Sequence, residues 1–124
     1  MIKLLVVDDE PGICDILKKT FGPIGFTVLC ATNGQEALSI VKSDKPGIVF
    51  LDIRMLGMSG LEVLREIKKI TPAAKVIMVT VLDDEATRAE AKSLGADEFV
   101  TKPFNSDYLE ELVRKEVEEL IREK

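Results

Sequence analysis

The chain contains no histidine and no tryptophan, and only one tyrosine. Without histidine it cannot form a Ser–His–Asp triad, use an imidazole as a general base or carry a phosphohistidine. Any phosphoryl group that the chain accepts must therefore reside on a carboxylate or a hydroxyl. Its apolar runs are far shorter than the roughly 20 residues of a membrane span, and the first of them is too short for a secretory signal. We therefore expect a cytoplasmic protein that does not enter membranes.

Cysteine is scarce too, since Cys14 and Cys30 are the only two. They form no CxxC motif, and no histidine is present to complete a metal site with them, so the chain offers too few ligands for a typical zinc site. We expect a pair of reduced thiols, the usual state of cysteine inside cells.

The remaining composition is typical of one globular domain. A chain of 124 residues can bury a core without disulfides or metals, and its apolar and charged fractions, 46% and 31%, are ordinary. The net charge of −5 disfavours nucleic acid or an anionic membrane as a partner, because like charges repel. No linker or low-complexity segment stands out. We expect residues 1–124 to form a single domain without an output domain.

Short apolar runs alternate with amphipathic stretches five times along the chain. Several runs are continuous in Val, Ile, Leu and Phe, which is typical of parallel strands covered on both faces. The alternation predicts an α/β fold, a (βα)5 doubly wound parallel five-stranded sheet. The predicted strands are Lys3–Val7, Thr27–Ala31, Ile48–Leu51, Val76–Val79 and Glu98–Val100.

The helices between these strands carry their own signals. Pro11 suits a first helical position, and Ser59 with Glu62 forms a capping-box pattern. The stretch Asp84–Leu94 offers mainly small residues, Ala86 and Ala89 with Leu94, so we expect it to be the least firmly anchored helix. The last helix is predicted to begin near residues 105–106 and to bury one stripe: Leu109, Leu112, Val113, Val117, Leu120 and Ile121.

Polar residues follow four of the predicted strands, at the edge where such sheets bind ligands. Carboxylates that converge there repel one another unless a hard cation such as Mg²⁺, or Mn²⁺ as an alternative, lies among them. A hydroxyl and an ammonium nearby suit phosphoryl oxygens, and a carboxylate can attack phosphorus to form an acyl phosphate. Singly, each residue could be a helix cap, a strand residue or a loop charge. Together they favour a site: Asp8, Asp9, Asp52, Thr80 and Lys102.

The whole chain resembles the receiver domain of the response regulators of two-component signalling. The resemblance implies the flavodoxin-like strand order 2-1-3-4-5. Each matching motif is weak alone, but the ordered set is specific. The matching segments are Val6-Val7-Asp8-Asp9-Glu10-Pro11, Leu51-Asp52-Ile53-Arg54-Met55, Met58-Ser59-Gly60, Thr80, Gly95-Ala96-Asp97 and Lys102-Pro103-Phe104.

The resemblance also implies a role for each site residue. Asp52 would accept the phosphoryl group, and Thr80 and Lys102 would bind its oxygens. The metal ligands would be Asp9 directly, Asp8 largely through water, Asp52 and the backbone carbonyl of Arg54. Phe99 would be the aromatic switch residue that moves with Thr80. The Lys102–Pro103 peptide bond would be cis, against a base rate of about 5–6% for X–Pro bonds.

These roles describe a phosphorylation-activated switch. The expected donor is a sensor histidine kinase, a phosphotransfer protein or a small acyl phosphate, and the only reactions catalysed would be the chain's own phosphorylation and dephosphorylation. The signal would pass through the fourth helix, fifth strand and fifth helix to a downstream protein target or output domain. A phosphorylation-dependent dimer is a further expectation, and direct binding of nucleic acid by this domain is not expected.

Other functions fit less well. A phosphohydrolase with an aspartyl nucleophile would want a carboxylate two residues after Asp52, where Arg54 stands. A flavodoxin-like flavin binder would need a Ser-, Thr- and Gly-rich phosphate loop, and the acidic residues 8–10 would repel that phosphate. Two readings stay open: a receiver fragment of a longer DNA-binding regulator, and a phosphorylation-independent interaction module. Val81 and Leu82 depart from the small and polar residues usual beside Thr80, which predicts slow loss of the phosphoryl group.

Overall fold

A computed structural model describes residues 2–122 of the chain. Five parallel strands form one sheet in the order β2-β1-β3-β4-β5, as expected. The strands are β1 (Lys3–Val7), β2 (Thr27–Ala31), β3 (Ile48–Leu51), β4 (Lys75–Thr80) and β5 (Glu98–Thr101). The helices are α1 (Pro11–Phe21), α2 (Gly34–Asp44), α3 (Gly60–Ile70), α4 (Glu85–Ser93) and α5 (Ser106–Arg122). No helix within residues 2–122 has the length and apolar character that a membrane crossing needs.

The sheet is buried on both faces, because helices cover each side. Alternate residues of a strand point to opposite faces, so β1 contributes Leu5 and Val7 to one core and Leu4 and Val6 to the other. Helices α2 and α3 and one residue of α4 pack on the first face, and α1 and α5 pack on the second. This arrangement explains why the central strands are continuous apolar runs rather than alternating ones.

Local sequence signals account for several helix ends. Pro11 begins α1, and the side chain of Ser59 accepts a hydrogen bond from Leu61 N at the start of α3. Asn105 does the same for α5, where its Oδ1 accepts from Asp107 N at 2.8 Å. Two strands are longer than predicted: β4 extends one residue further at each end, and β5 continues to Thr101.

Two predicted helix faces need correction. In α4 the residues Ala86 and Ala89 are exposed, and Ala91 is the residue that packs into the core. In α5 Ile121, predicted to belong to the buried stripe, is 62% exposed, whereas Glu116, which lies outside that predicted stripe, is buried. Helix α4 is therefore anchored even more thinly than the pattern of alanines suggested.

Cys14 of α1 and Cys30 of β2, predicted to be reduced thiols, lie next to each other in the structure. Their Cα atoms are 6.1 Å apart, inside the range that disulfides span. The physical reason is the right-handed β1–α1–β2 unit, in which α1 lies across the strand that follows it. Spacing along the chain does not reveal this proximity, because it depends on how α1 packs against β2.

Candidate functional site

The strand order brings the acidic residues together. Strands β1 and β3 are neighbours in register, with Val7 opposite Leu51, so Asp8 and Asp52 follow at the same edge of the sheet. The backbone continues the ladder one step further, because Asp52 N donates to Val7 O at 3.0 Å. The position of Asp52 is therefore fixed by main-chain hydrogen bonds as well as by the buried strand before it.

Asp8, Asp9 and Asp52 form a compact acidic cluster. One carboxylate oxygen from each lies within 4.8 Å of the others. Asp8 and Asp52 are each only 6% exposed, whereas Asp9 faces solvent. Burial raises the pKa of Asp8 above its ordinary value, although hydrogen bonds from Lys102 and from Glu10 N oppose that rise. Three oxygens at this spacing, one of them open to water, fit a hard divalent cation with retained water ligands.

Lys102 is the counter-charge of this cluster. Its Nζ lies 2.7 Å from Asp8, 3.2 Å from Asp52 and 3.3 Å from Glu10. Burial alone would lower the pKa of Lys102, but the hydrogen bond to Asp8 and the charges of Asp52 and Asp8 outweigh it and raise that pKa. The ammonium is therefore held in its charged form at the carboxyl end of β3. Glu10 was not predicted as a partner of Lys102, and although it precedes α1 its side chain does not cap that helix.

Thr80 lies at the end of β4 and is fully buried. Its Oγ1 accepts a hydrogen bond from Leu82 N at 3.3 Å, and its backbone oxygen accepts from Lys102 N at 2.8 Å. The second bond fixes the chain that carries Lys102 against the end of β4. The Lys102–Pro103 peptide bond is cis, as the resemblance implied.

The loop after Asp52 packs tightly against the start of α3. Arg54 N donates to Asp52 Oδ1 at 3.3 Å, and Gly60 N donates to Ile53 O at 3.0 Å. A Cβ atom on Gly60 would lie 2.0 Å from the backbone oxygen of Asp52, so no other residue fits there without moving the acceptor strand. The side chain of Arg54 itself is exposed.

Two contacts of the fifth strand were not predicted from the sequence. The guanidinium of Arg88 lies over the ring of Phe99, 4.6 Å from its centroid. Glu98 of β5 pairs with the buried Glu116 of α5, and burial together with this pairing raises the pKa of Glu116 to about 8. Both contacts join neighbouring elements through side chains alone, so strand and helix patterns carry no signal for them.

Comparison with known proteins assigns the family. The response regulator receiver domain family matches residues 4–114, and the chain belongs to it. A CheY-like receiver domain protein from Methanospirillum hungatei superimposes with a TM-score of 0.96 at 28% identity, over 100% of this chain and 99% of that one.

Two further solved structures are similar. A response regulator from Burkholderia pseudomallei, solved with a phosphorylated aspartic acid, a calcium ion and citrate, has a TM-score of 0.83 at 27% identity, covering 88% of this chain and 64% of that one. NtrX from Brucella abortus, solved with ADP, has a TM-score of 0.91 at 32% identity, covering 99% of this chain but 29% of that one. The chain thus spans nearly all of the Methanospirillum hungatei structure but less than a third of NtrX.

Proposed function

We propose that this chain is a phosphorylation-activated switch whose phosphoryl acceptor is Asp52. The observation that carries the proposal is the setting of this carboxylate. It directly follows the central strand β3, it is buried, its oxygens lie near those of Asp8 and Asp9, and Lys102 lies 3.2 Å from it. Buried carboxylates grouped with one ammonium are costly to maintain without a function that uses them.

The chemistry follows from these groups. A carboxylate oxygen of Asp52 attacks the phosphorus of a phosphohistidine or of a small acyl phosphate, and an acyl phosphate forms. The bond from phosphorus to the donor breaks, and its electron pair leaves with the donor as imidazole, after protonation, or as carboxylate. Lys102 contributes a positive charge where charge builds up on the phosphoryl oxygens, and the Thr80 hydroxyl can donate a hydrogen bond to one of them.

The acidic cluster would hold the metal that this reaction requires. Asp8, Asp9 and Asp52 would bind Mg²⁺, or Mn²⁺, with the backbone carbonyl of Arg54 as a further ligand. When bound, the ion offsets the negative charge of the carboxylates and of the incoming phosphoryl group. The Burkholderia pseudomallei response regulator, which was solved with both a phosphorylated aspartic acid and a calcium ion, supports this assignment.

Phosphorylation would act through the thinly anchored side of the domain. It makes the side chain of Asp52 more negative and adds phosphoryl oxygens that accept hydrogen bonds. These oxygens draw the hydroxyl of Thr80 away from Leu82 N. Phe99 then changes position, and the face formed by α4, β5 and α5 becomes the signalling surface. A histidine kinase or phosphotransfer protein would be the donor, and a target protein, output domain or second copy the receiver of the signal. The chain would catalyse only its own phosphorylation and dephosphorylation, in the cytoplasm.

A second possibility is that this domain serves as the receiver part of a longer regulator. The coverage of NtrX, of which the chain spans 29%, favours it. The chemistry proposed for Asp52 is the same in either setting. What differs is whether the α4–β5–α5 face meets a separate protein or a domain of the same polypeptide.

The deciding experiment is phosphorylation in vitro. Incubation with acetyl phosphate and Mg²⁺ should add one phosphoryl group to the intact mass of the parent protein. Asp52→Asn should abolish the gain, whereas Asp15→Asn, which removes an exposed carboxylate of α1, should leave it unchanged. A mass gain that persists in Asp52→Asn would place the acceptor elsewhere and refute the proposal.

A further inference from the structure

Arg88 of α4 contacts two different parts of the molecule. Its guanidinium lies over the ring of Phe99 on β5, 4.6 Å from the centroid. Its Nε donates to Asp83 Oδ1 at 2.7 Å, and Nη2 contacts the same oxygen. The side chain is 43% exposed, so these two partners, rather than core packing, determine where it lies. Asp83 therefore holds the guanidinium in place over the ring.

Asp83 is also linked, through the preceding residue, to Thr80 of the proposed phosphorylation site. Leu82 precedes Asp83 in the chain, and Leu82 N donates to Thr80 Oγ1 at 3.3 Å. The side chain of Leu82 packs against the core, so this turn has two attachments, one apolar and one through the hydroxyl. A continuous series of contacts thus runs from the hydroxyl of Thr80, through residues 82 and 83, to Arg88 and the ring.

We propose that Arg88 is a positioning residue that holds Phe99 in its resting position, and that the hydrogen bond between Thr80 and Leu82 N maintains this hold. The proposal rests on the function proposed above. When the hydroxyl turns towards a phosphoryl group, Leu82 N loses its acceptor, the turn carrying Asp83 relaxes, and the guanidinium leaves the ring. Phe99 is then free to move.

The surroundings of the ring allow this movement. A cavity of about 370 Å³ lies between α4 and β5, bordered by Arg88 and Phe99 and by Ala91, Lys92 and Ala96. The ring is only half-buried, and Ala91 is the one buried residue of α4. Exposed ion pairs and exposed cation–π contacts are individually weak. The contacts of Arg88 with Asp83 and Phe99, here called the clasp, can therefore favour the resting position of Phe99 without preventing its movement on phosphorylation.

The test compares variants of the clasp with a matched charge removal. Arg88→Gln removes the cation that contacts both the ring and Asp83. Asp83→Asn removes only the carboxylate partner of Arg88. Arg88→Lys keeps the positive charge but loses the planar guanidinium. Lys92→Gln is the control, since it removes a positive charge from the same helix and the same cavity wall. The probe is beryllofluoride with Mg²⁺, which mimics a phosphoryl group, titrated by calorimetry.

If the clasp stabilises the resting state, a variant that weakens the clasp must favour the state that binds beryllofluoride. We expect Arg88→Gln to bind beryllofluoride about fivefold more tightly than the parent, a coupling of about 1 kcal/mol. Asp83→Asn should have a smaller effect in the same direction, and Arg88→Lys should restore part of the parent behaviour. Adding Asp83→Asn to Arg88→Gln should change nothing further, because the two act as one unit.

A second readout does not depend on phosphorylation. In protein carrying 4-fluorophenylalanine at position 99, the fluorine shift of the resting state should change in Arg88→Gln and stay constant in Lys92→Gln. A parent protein that neither binds beryllofluoride nor takes up phosphate would refute the proposed function, while this shift would still report on the clasp. Equal shifts and equal affinities in parent and Arg88→Gln, or an equal effect of Lys92→Gln, would overturn the role of Arg88.

Discussion

The ammonium of Lys102 lies 2.7 Å from Asp8 and 3.2 Å from Asp52, so one cation bridges the ends of the two adjacent strands β1 and β3. It occupies the space between the carboxylates and also competes there with any metal ion. The two roles make opposite demands. In the function proposed for this chain, phosphoryl transfer would benefit from the positive charge of Lys102, whereas metal binding would benefit from its removal.

This conflict gives the first prediction. Lys102→Met should slow phosphorylation by acetyl phosphate by about tenfold or more, equivalent to about 1.4 kcal/mol in the barrier. The same variant should bind Mg²⁺ at least as tightly as the parent, because the competing ammonium is gone. Initial rates from intact mass and a calorimetric Mg²⁺ titration measure the two effects. Lys92→Met serves as the control, and an unchanged phosphorylation rate in Lys102→Met would contradict the role given to this residue.

The second prediction concerns the metal. Asp9 is the exposed member of the acidic cluster, so it can be removed with little cost to the fold. Mg²⁺ should raise the thermal midpoint of the parent, because a ligand that binds only the folded state stabilises it. Asp9→Ala should lose most of this response, while Asp15→Ala, on the exposed side of α1, should keep it. The same Mg²⁺ dependence in Asp9→Ala and parent would mean that Asp9 is not a ligand.

The third prediction concerns the carboxyl pair Glu98 and Glu116, which joins β5 to α5. Burial and the neighbouring Glu98 raise the pKa of Glu116 to about 8, well above the ordinary value of 4.5, with the charge of Asp97 adding to the effect and Lys115 opposing it. Between these two pH values the folded protein keeps a proton that the unfolded chain has released. The free energy of unfolding should therefore fall as the pH rises from about 5 to 8.

Glu116→Gln isolates this contribution. Glutamine can still donate a hydrogen bond to Glu98 but does not titrate. The free energy of unfolding of the variant should therefore fall less steeply as the pH rises, and at pH 9 it should exceed that of the parent. The difference between parent and variant matters here, because the raised pKa of Asp8 adds a decline of the same sign to both. Urea unfolding across this pH range is the measurement, with Glu118→Gln, an exposed residue of α5, as the control. Parallel curves for parent and Glu116→Gln would rule out a titrating pair.

The contrast between Asp52 and Glu116 marks what a sequence can predict. Asp52, Thr80 and Lys102 follow apolar strands directly, and parallel topology alone brings such positions to one edge of the sheet. Glu116 lies in a helix, where charge indicates exposure, and only the packing of α5 against β5 buries it. The contact of Arg88 with Phe99 and the proximity of Cys14 to Cys30 are likewise set by side-chain packing between elements. Strand ends are therefore predictable, and contacts between helix and strand are not.

The last prediction concerns how long the phosphoryl group persists. Hydrolysis of an acyl phosphate needs a water molecule in line with the bond that breaks, on the open side of the phosphoryl group. Val81 is 53% exposed and borders the groove that also contains Glu10 and Lys102, so its two methyl groups narrow this approach. Leu82 packs against the core, so its substitution would also disturb the fold, and Val81 is the better position for a test.

Val81→Ala should therefore shorten the lifetime of the phosphorylated protein. A steric restriction of about 1.4 kcal/mol in the barrier would correspond to a tenfold change in the rate of hydrolysis. The measurement is to phosphorylate each protein, remove the donor and follow the loss of the phosphoryl mass. Ile16→Ala, which removes apolar surface from the α1 side of the same groove, is the matched control and should decay as slowly as the parent. If Val81→Ala decays at the parent rate, access of water past this residue does not limit hydrolysis.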